Sequence, residues 1–232
     1  MKVRYSFTIS AIILLLFIFT GCSSVDKGTS MAEDQTPGTV ELRVEGGSYI
    51  PALTQPVQIR INEGITVHDA IDRVAEFNEG SNAIASVGSY VLDESLEWRL
   101  KLNDEEIGSD AWGHSLDSKD SLILYIQPIA KIENMEPSAV TLTIYGGVGQ
   151  PDLRGSIASL YFPNLTVRDI LEKNQRIQLT DNKRFIHSID GYVPLITERW
   201  KIEVNNKELM DNGLDMVLSP RDEVRLELAE RQ

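Results

Sequence analysis

Cysteine is almost absent from this chain of 232 residues, since Cys22 is the only one. A single cysteine cannot form an intramolecular disulfide, so the fold must depend on a hydrophobic core and not on cross-links. Zinc sites built from paired cysteines are excluded for the same reason, and the His-Glu-x-x-His pattern of zinc peptidases does not occur. We therefore predict no metal site and no cofactor.

Basic residues are also scarce: 22 Lys and Arg stand against 35 Asp and Glu, which gives a formal net charge of −13. Proteins bind nucleic acid mainly by neutralising its phosphates with Lys and Arg. No run of basic residues compensates for the deficit. We predict that nucleic acid is not a partner, and that the acidic residues form a solvated surface.

Only one long apolar run occurs, and it lies near the N-terminus. Lys2 and Arg4 precede residues 9–19, which are apolar apart from Ser10 and form a run too short to span about 30 Å of hydrocarbon. This pattern predicts a secretion signal over residues 1–21. Its end, Thr20-Gly21-Cys22, resembles the lipobox of bacterial lipoproteins, which predicts lipid attachment to Cys22. The alternative is an ordinary cleaved signal peptide followed by an incidental cysteine.

A lipid on Cys22 would place the mature chain at the outer face of the bacterial cell membrane. Where the organism also has an outer membrane, this becomes the periplasmic face of a membrane. Residues 22–38 are polar and lack apolar periodicity, which predicts a flexible tether between the anchor and the folded part.

One phrase of the sequence occurs twice, about one small domain apart. Trp98-Arg99-Leu100-Lys101-Leu102-Asn103 is matched 102 residues later by Trp200-Lys201-Ile202-Glu203-Val204-Asn205. Upstream, Thr66-Val67-x-Asp69 is matched 100 residues later, so two residues are inserted between that point and the second tryptophan. We predict a first domain over 39–128, a linker over 129–138 and a second domain over 139–229.

Each copy has the pattern of a small α+β domain. Residues 40–45 alternate as a half-buried strand does, and residues 122–126 alternate again at the end of the copy. Between them, Thr66 and Asp69 have the spacing of a helix capping box, and Trp98 begins a further strand. Residues 80–88 show no periodicity and are predicted to be irregular. The order predicts one helix packed across a mostly antiparallel sheet.

The twofold order of these motifs resembles a bacterial domain family of unknown function that is itself similar to the C-terminal domain of transcobalamin. The motifs are the Thr-Val-x-Asp cap, a Tyr-Val pair, the Trp-led strand with its Asn turn, and an acidic turn before the last strand. The resemblance implies two tandem β-grasp, or ubiquitin-like, domains. It also implies a corrinoid-like small ligand. This alternative is a minor one, because transcobalamin holds cobalamin with a further helical domain that this chain lacks.

Catalytic groups are not evident in the sequence. His68, His114 and His187 each correspond to a different residue type in the other copy. His114-Ser115-x-Asp117 has the composition of a catalytic triad, but neighbours in sequence rarely converge in space and no Gly-x-Ser-x-Gly elbow is present. We predict that the protein is not an enzyme.

The predicted function is therefore a lipid-anchored, extracytoplasmic binding or interaction module. Its partner would be an envelope protein, a glycan or a small ligand, and the alternative is a structural spacer or assembly protein of the envelope. Trp98 and Trp200 are predicted to belong to the core. Exposed loops on a rigid scaffold often carry function, so the candidate ligand-binding residues lie in the glycine-led loops 46–56 and 146–156 and around Trp112. They are Gly46, Gly47, Tyr49, Trp112, Gly146 and Gly147.

Overall fold

The computed structural model describes residues 38–60, 64–130, 136–210 and 213–231. The predicted signal segment, nearly all of the tether and the predicted lipid site Cys22 lie outside these residues. Within the described ranges, no helix is both long enough and apolar enough to cross a membrane.

The described part of the first half is mainly β, with one short helix. Its elements in chain order are β1 (Thr39–Glu45), β2 (Thr54–Arg60), α1 (Val67–Ile71), β3 (Ala75–Phe77), β4 (Ile84–Val87), β5 (Tyr90–Leu92), β6 (Leu96–Leu102), β7 (Glu105–Ile107) and β8 (Ser121–Pro128), with a 3-10 turn at Ser109–Ala111.

The second half follows nearly the same order. Its elements are β9 (Ala139–Tyr145), β10 (Arg154–Leu160), α2 (Val167–Lys173), β11 (Ile177–Leu179), β12 (Ile186–Ile189), β13 (Glu198–Val204), β14 (Lys207–Glu208) and β15 (Glu223–Glu230), with a 3-10 turn at Gly213–Asp215.

Both halves build their main sheet in the same strand order. The first sheet runs β2-β1-β8-β6-β7, and the matching part of the second runs β10-β9-β15-β13-β14. In each, the first and last long strands lie side by side and run parallel, while the other neighbouring pairs are antiparallel. The sheets are therefore mixed, and mostly antiparallel.

The alternation of β1 and the helix cap lead to one buried cluster in the first half. Val40, Leu42 and Val44 are fully buried on one face of β1, as their spacing predicts. The helix residues Val67 and Ile71 are fully buried in the same cluster, so the helix packs on that face of the sheet. The second half has an equivalent cluster of its own.

The predicted capping box is present in both helices. The Asp69 and Asp169 amides donate to the hydroxyl of Thr66 and Thr166, and each Asp carboxylate accepts from its threonine amide at 2.9 Å. The helices differ in length: α2 has seven residues and α1 has five. The two-residue insertion predicted after the cap is thus located: it lengthens the second helix.

The predicted Asn-led turns are also confirmed. Asn103 and Asp104 have positive φ angles of 52° and 67°, and Asn205 and Asn206 have angles of 50° and 63°, as a tight hairpin turn requires. In both copies the Asn amide also donates to an aspartate 17 residues on, at 2.7 and 2.8 Å. These bonds fix the turn to the start of the last strand.

The prediction that residues 80–88 are irregular is wrong. Strand β4 occupies Ile84–Val87 and pairs antiparallel with β3, and the second half has the same hairpin as β11 and β12. Strands of three and four residues contain too few positions for alternation to be recognised in the sequence.

The two halves are joined by sheet pairing between β5 and β10. These strands run parallel, so β3, β4 and β5 continue the second sheet into eight strands. Across this joint, the Ser156 amide donates to the Ser89 carbonyl at 3.0 Å, and the Asp93 amide donates to the Ala158 carbonyl at 3.0 Å. Ala158 and Leu160 pack into the first-half core.

The outer strand β2 is the equivalent of β10, and the segment around Pro194 is the equivalent of β5. Neither forms such a joint within the described structure, and each contains a proline. Pro56 on the outer strand β2 occupies the position of Ser156, so the amide donor used in the joint is missing there. In the second half, Pro194 replaces Leu92, and the Leu195 amide donates to the Glu198 side chain at 2.9 Å. Prolines commonly protect free strand edges in this way.

Candidate functional site

Each half of the molecule has a surface groove in the same place. Groove 1 is lined by the β3–β4 hairpin, by strand β6 and by residues between Ile107 and Trp112, and has a volume of about 530 Å³. Groove 2 is lined by the β11–β12 hairpin, by strand β13 and by residues between Leu209 and Leu214, and has a volume of about 490 Å³. Both volumes fall within the range of small-molecule sites.

The two grooves correspond residue by residue. Ten positions that line groove 2 stand 102 residues after positions that line groove 1. The pairs are Asn82/Arg184, Ala83/Phe185, Ile84/Ile186, Leu92/Pro194, Glu97/Arg199, Trp98/Trp200, Leu100/Ile202, Ile107/Leu209, Gly108/Met210 and Trp112/Leu214.

A tryptophan of each groove has a buried indole N–H without an acceptor. Trp98 lines groove 1 and Trp200 lines groove 2, and Nε1 of each is buried and makes no hydrogen bond within the described structure. Trp200 as a whole is only 8% exposed. An unpaired buried donor costs about 1–3 kcal/mol. Because such a donor occurs at both equivalent positions, it is a repeated feature of the groove and not a single packing defect.

The grooves differ most in charge. Groove 1 contains one carboxylate and one guanidinium, Glu97 and Arg99, and these form an ion pair at 2.6 Å. Groove 2 is lined by Arg184, Arg199 and Arg231, and no described carboxylate lines it. A cationic groove on a chain with a net charge of −13 stands out from its surroundings.

The rim of groove 2 is apolar and open to solvent. Phe185 is 49% exposed and Met210 is 82% exposed, whereas the equivalent positions in groove 1 are alanine and glycine. Val193, which also lines groove 2, is about half exposed. Groove 2 therefore combines an apolar surface with a cluster of arginines.

Two carboxylates beside groove 2 already have partners. Glu208 forms an ion pair with the lining residue Arg199 at 2.8 Å. Glu198 accepts from the Tyr192 hydroxyl at 2.7 Å and from the Leu195 amide at 2.9 Å. These hydrogen bonds hold the pKa of Glu198 below its ordinary value, and the bond to Glu198 raises the pKa of Tyr192. Glu198 thus stays ionised near neutral pH with its own neighbours as partners.

The predicted glycine residues lie in two matching turns, between the first two strands of each half. Gly47 and Gly147 have positive φ angles of 57° and 66°, which favour glycine. A Cβ on Gly46 or Gly146 would come within 2.0 or 2.2 Å of the carbonyl oxygen four residues on. The turns thus need these glycines for local reasons, and neither groove includes them. Their role in ligand binding stays a prediction.

The expectation that Tyr49 and Trp112 are exposed loop residues is wrong. They are 8% and 7% exposed. Trp112 packs in an aromatic cluster in which the His68 ring stacks on Phe77 with centroids 4.4 Å apart, and Phe77 lies 5.7 Å from Trp112. Trp112 still lines groove 1, and its indole N–H is a third buried donor without an acceptor.

The three histidines lie in three different surroundings. His68 belongs to the aromatic cluster, His114 is exposed, and His187 lines groove 2. Across the described ranges, no three His, Cys, Asp or Glu side chains are grouped so that they could hold a metal ion.

Sequence reasoning missed both grooves, although one signal for them was present. Aligning the copies at the offset of 102 shows that Arg184, Phe185 and Arg199 replace Asn82, Ala83 and Glu97. Three substitutions toward positive charge and aromatic surface, close together in the fold, indicate that the second copy has acquired a surface that the first lacks.

Comparison with known proteins adds little to these observations. The sequence matches no family model, and no curated protein matches it. A crystal structure of a "putative metal binding protein" from Ruminococcus gnavus is 16% identical, covers 40% of this chain and 98% of its own, and has a TM-score of 0.32. A score of that size does not establish a shared fold.

Proposed function

We propose that the chain is a non-catalytic binding module whose ligand sites are the two grooves. The observation that carries this proposal is the repetition of one groove at equivalent positions, each lined by a tryptophan with an unpartnered indole N–H. A binding cleft that is largely apolar, with a few unsatisfied polar groups, is the usual form of a small-molecule site.

We further propose that each half is a β-grasp domain. The strand order, the parallel pairing of first and last long strands, and the helix that follows the second strand support this assignment. In this fold the long strands and the helix form the scaffold, and the short hairpin after the helix forms one side of each groove.

The lipid anchor at Cys22 and the location at the outer face of a bacterial membrane belong to the same proposal. They are supported by the signal-like N-terminus and the lipobox resemblance. Fractionation of cells expressing the full chain tests them: the natural chain is expected in the membrane fraction, and Cys22→Ser is expected in the soluble fraction. Retention of Cys22→Ser in the membrane would contradict the anchor.

Groove binding can be tested with a neutral apolar probe. The Cys22→Ser chain, purified without detergent, is titrated with N-phenyl-1-naphthylamine, whose fluorescence rises in apolar sites. We expect binding in the natural grooves, and weaker binding after Phe185→Asp combined with Met210→Asp. Both positions are exposed, so the fold should tolerate the change.

A matched control separates the grooves from the glycine-led loops. Val148 is 96% exposed and lies in the second of those loops, outside both grooves. Val148→Asp introduces one carboxylate on an exposed apolar residue, and it is compared with Met210→Asp alone, which introduces the same charge in groove 2. If Val148→Asp reduces probe binding as strongly as the groove variant does, the ligand site lies in the loop and the groove proposal is wrong.

The alternative of a structural spacer is favoured by one observation, the β5–β10 joint. Continuous sheet pairing holds the halves together more firmly than a flexible linker would. A spacer would bind neither the neutral probe nor any related ligand in its grooves, so the same titration distinguishes the two functions.

A further inference from the structure

We infer that groove 2 recognises small amphipathic anions, meaning an apolar body that carries one carboxylate or an equivalent acidic group. This inference rests on the proposed function and names the ligand class of one of the two sites. Groove 1, which is lined by equivalent positions without the net charge, provides the internal comparison.

The first argument is the charge of the lining. Arg184, Arg199 and Arg231 line groove 2, and no described lining residue opposes them. Arg199 forms an ion pair with Glu208 at 2.8 Å, and the Arg231 Nε donates to the Glu198 carbonyl at 2.9 Å. Arg184 makes no ion pair with any described residue. Arginine is well suited to a carboxylate because it can donate two parallel hydrogen bonds.

The second argument is the difference from groove 1. At the position of Arg199, groove 1 has Glu97, which neutralises Arg99 within the groove. At the position of Arg184 it has the uncharged Asn82. These two substitutions and Arg231, whose equivalent Ile129 does not line groove 1, make the second groove cationic while the apolar floor is kept. That is the change expected if the second copy selects for an anion.

The third argument is the apolar surface beside the arginines. Phe185 and Met210 are large, exposed and on the rim, while Ile186 and Ile202 line the interior. A hydrophilic anion such as inorganic phosphate would leave this surface in water. Trp200, whose buried indole N–H has no acceptor within the described structure, lines the same groove.

The test compares two probes that differ in a single acidic group. 1-Anilinonaphthalene-8-sulfonate has the ring system of N-phenyl-1-naphthylamine with a sulfonate added. Both are titrated into the Cys22→Ser chain and into the same chain with Arg184→Gln and Arg199→Gln. We expect the sulfonate probe to lose about tenfold in affinity in the arginine variant, a loss typical of removing charge-assisted contacts at a partly exposed site. The neutral probe should be unaffected.

Two control variants make the result specific to groove 2. Arg43→Gln removes an exposed arginine on β1 that lines neither groove. It should change the affinity of neither naphthalene probe. Asn82→Arg with Glu97→Arg transfers the charge pattern to groove 1, and should add a second binding site for the sulfonate probe. Thermal melts of each variant confirm that the fold is retained.

Competition identifies the source of the anionic group. Decanoate is compared with decanol, and the dipeptide acetyl-Leu-Phe is compared with its amide. Displacement of the sulfonate probe by decanoate alone assigns a fatty-acid-like ligand, and displacement by the dipeptide acid alone assigns a peptide carboxyl terminus. Displacement by neither acid overturns the inference.

The failure of the inference is distinguishable from the failure of the proposed function. If neither naphthalene probe binds, the grooves are not ligand sites and the proposed function is wrong. If both probes bind equally and neither depends on the two arginines, groove binding stands and the assignment of an anionic ligand is wrong.

Discussion

The joint between β5 and β10 predicts that the two halves unfold together, and that one substitution uncouples them. Ala158 lies on β10, is fully buried and packs into the first-half core. Ala158→Glu would place a carboxylate there without a partner. Because burying an unpaired charge costs many kcal/mol, the joint should open and leave the glutamate in water.

The strength of the joint follows from its contacts. In addition to the β5–β10 ladder, three hydrogen bonds cross it: Ser156 to Ser89, Asp93 to Ala158, and the Leu160 amide to the Ser95 hydroxyl at 2.9 Å. At about 1 kcal/mol net each, and with the buried Leu160 side chain contributing about 2 kcal/mol, these three bonds and this side chain stabilise the pair by about 5 kcal/mol before the ladder is counted. That is comparable to the whole stability of a small domain.

Intrinsic fluorescence can follow each half because its tryptophans are separate. Trp98 and Trp112 report on the first half and Trp200 reports on the second. The variant Trp200→Phe keeps only the first-half tryptophans, and the variant Trp98→Phe with Trp112→Phe keeps only the second-half one. In urea, we expect both reporter variants to show the same single unfolding transition. Ala158→Glu should separate the signals into two transitions, each with a smaller dependence on urea concentration.

Gln58 supplies the matched control, since it occupies the position of Ala158 on the free outer strand β2 and is exposed. Gln58→Glu loses the hydrogen bond from Gln58 to the opposite Glu41 and places two carboxylates side by side, so it should lower stability by up to about 1 kcal/mol while leaving the single transition in place. The reasoning fails if the natural chain already unfolds in two transitions, or if Ala158→Glu lowers stability without separating the signals.

Three further predictions concern local structure. Thr166→Ala removes the second helix cap and should lower the unfolding free energy by about 1 kcal/mol in urea. Hydrogen bonds from Thr166 hold the pKa of Asp169 below its ordinary value. The stabilisation from these bonds is therefore present above about pH 4 and is lost as pH falls through the lowered pKa. Over that acid range, the natural chain should lose more stability than Thr166→Ala. Gly46→Ala should lower the melting temperature because its Cβ would lie 2.0 Å from the Ile50 oxygen, whereas Gly113→Ala, with no atom within 4 Å, should not. Amide hydrogen exchange, followed by mass spectrometry, should be faster in β11 and β12 than in β3 and β4, because only the latter pair belongs to the eight-stranded sheet; equal protection of the two hairpins would contradict this.

The parts of the fold that the sequence predicts are those governed by neighbours along the chain. The Thr66–Asp69 cap, the Asn103 turn and the alternation of β1 each depend on residues a few positions apart, and all three are present. The joint could not be predicted in this way, because Val91 and its partner Ile157 are far apart in sequence and nothing in either segment specifies the other.

The grooves were hidden for a related reason. Their hairpin walls consist of strands of three or four residues, too short to show a period, and their floors belong to strands whose apolar residues have the pattern of an ordinary core. Trp112 illustrates the problem: beside Gly113 in a polar stretch it has the pattern of an exposed residue, yet contact with Phe77 buries it. Only the tertiary arrangement turns these segments into one surface.

Because of the joint, the hairpin walls of the two grooves are supported differently. In the first half, β3 and β4 are tied through β5 to the second sheet, so the wall of groove 1 is held by both halves of the molecule. In the second half, β11 and β12 form a separate two-stranded sheet, and a two-stranded hairpin is only marginally stable by itself. The wall that carries Arg184 and Phe185 is held within its own half, by a hydrogen bond from Arg168 to the Lys183 carbonyl and by the Lys183–Glu172 ion pair at 3.2 Å. The charge and the apolar rim of groove 2 thus occur on a wall that only the second half supports, and Pro194 keeps its neighbouring edge from forming a second joint.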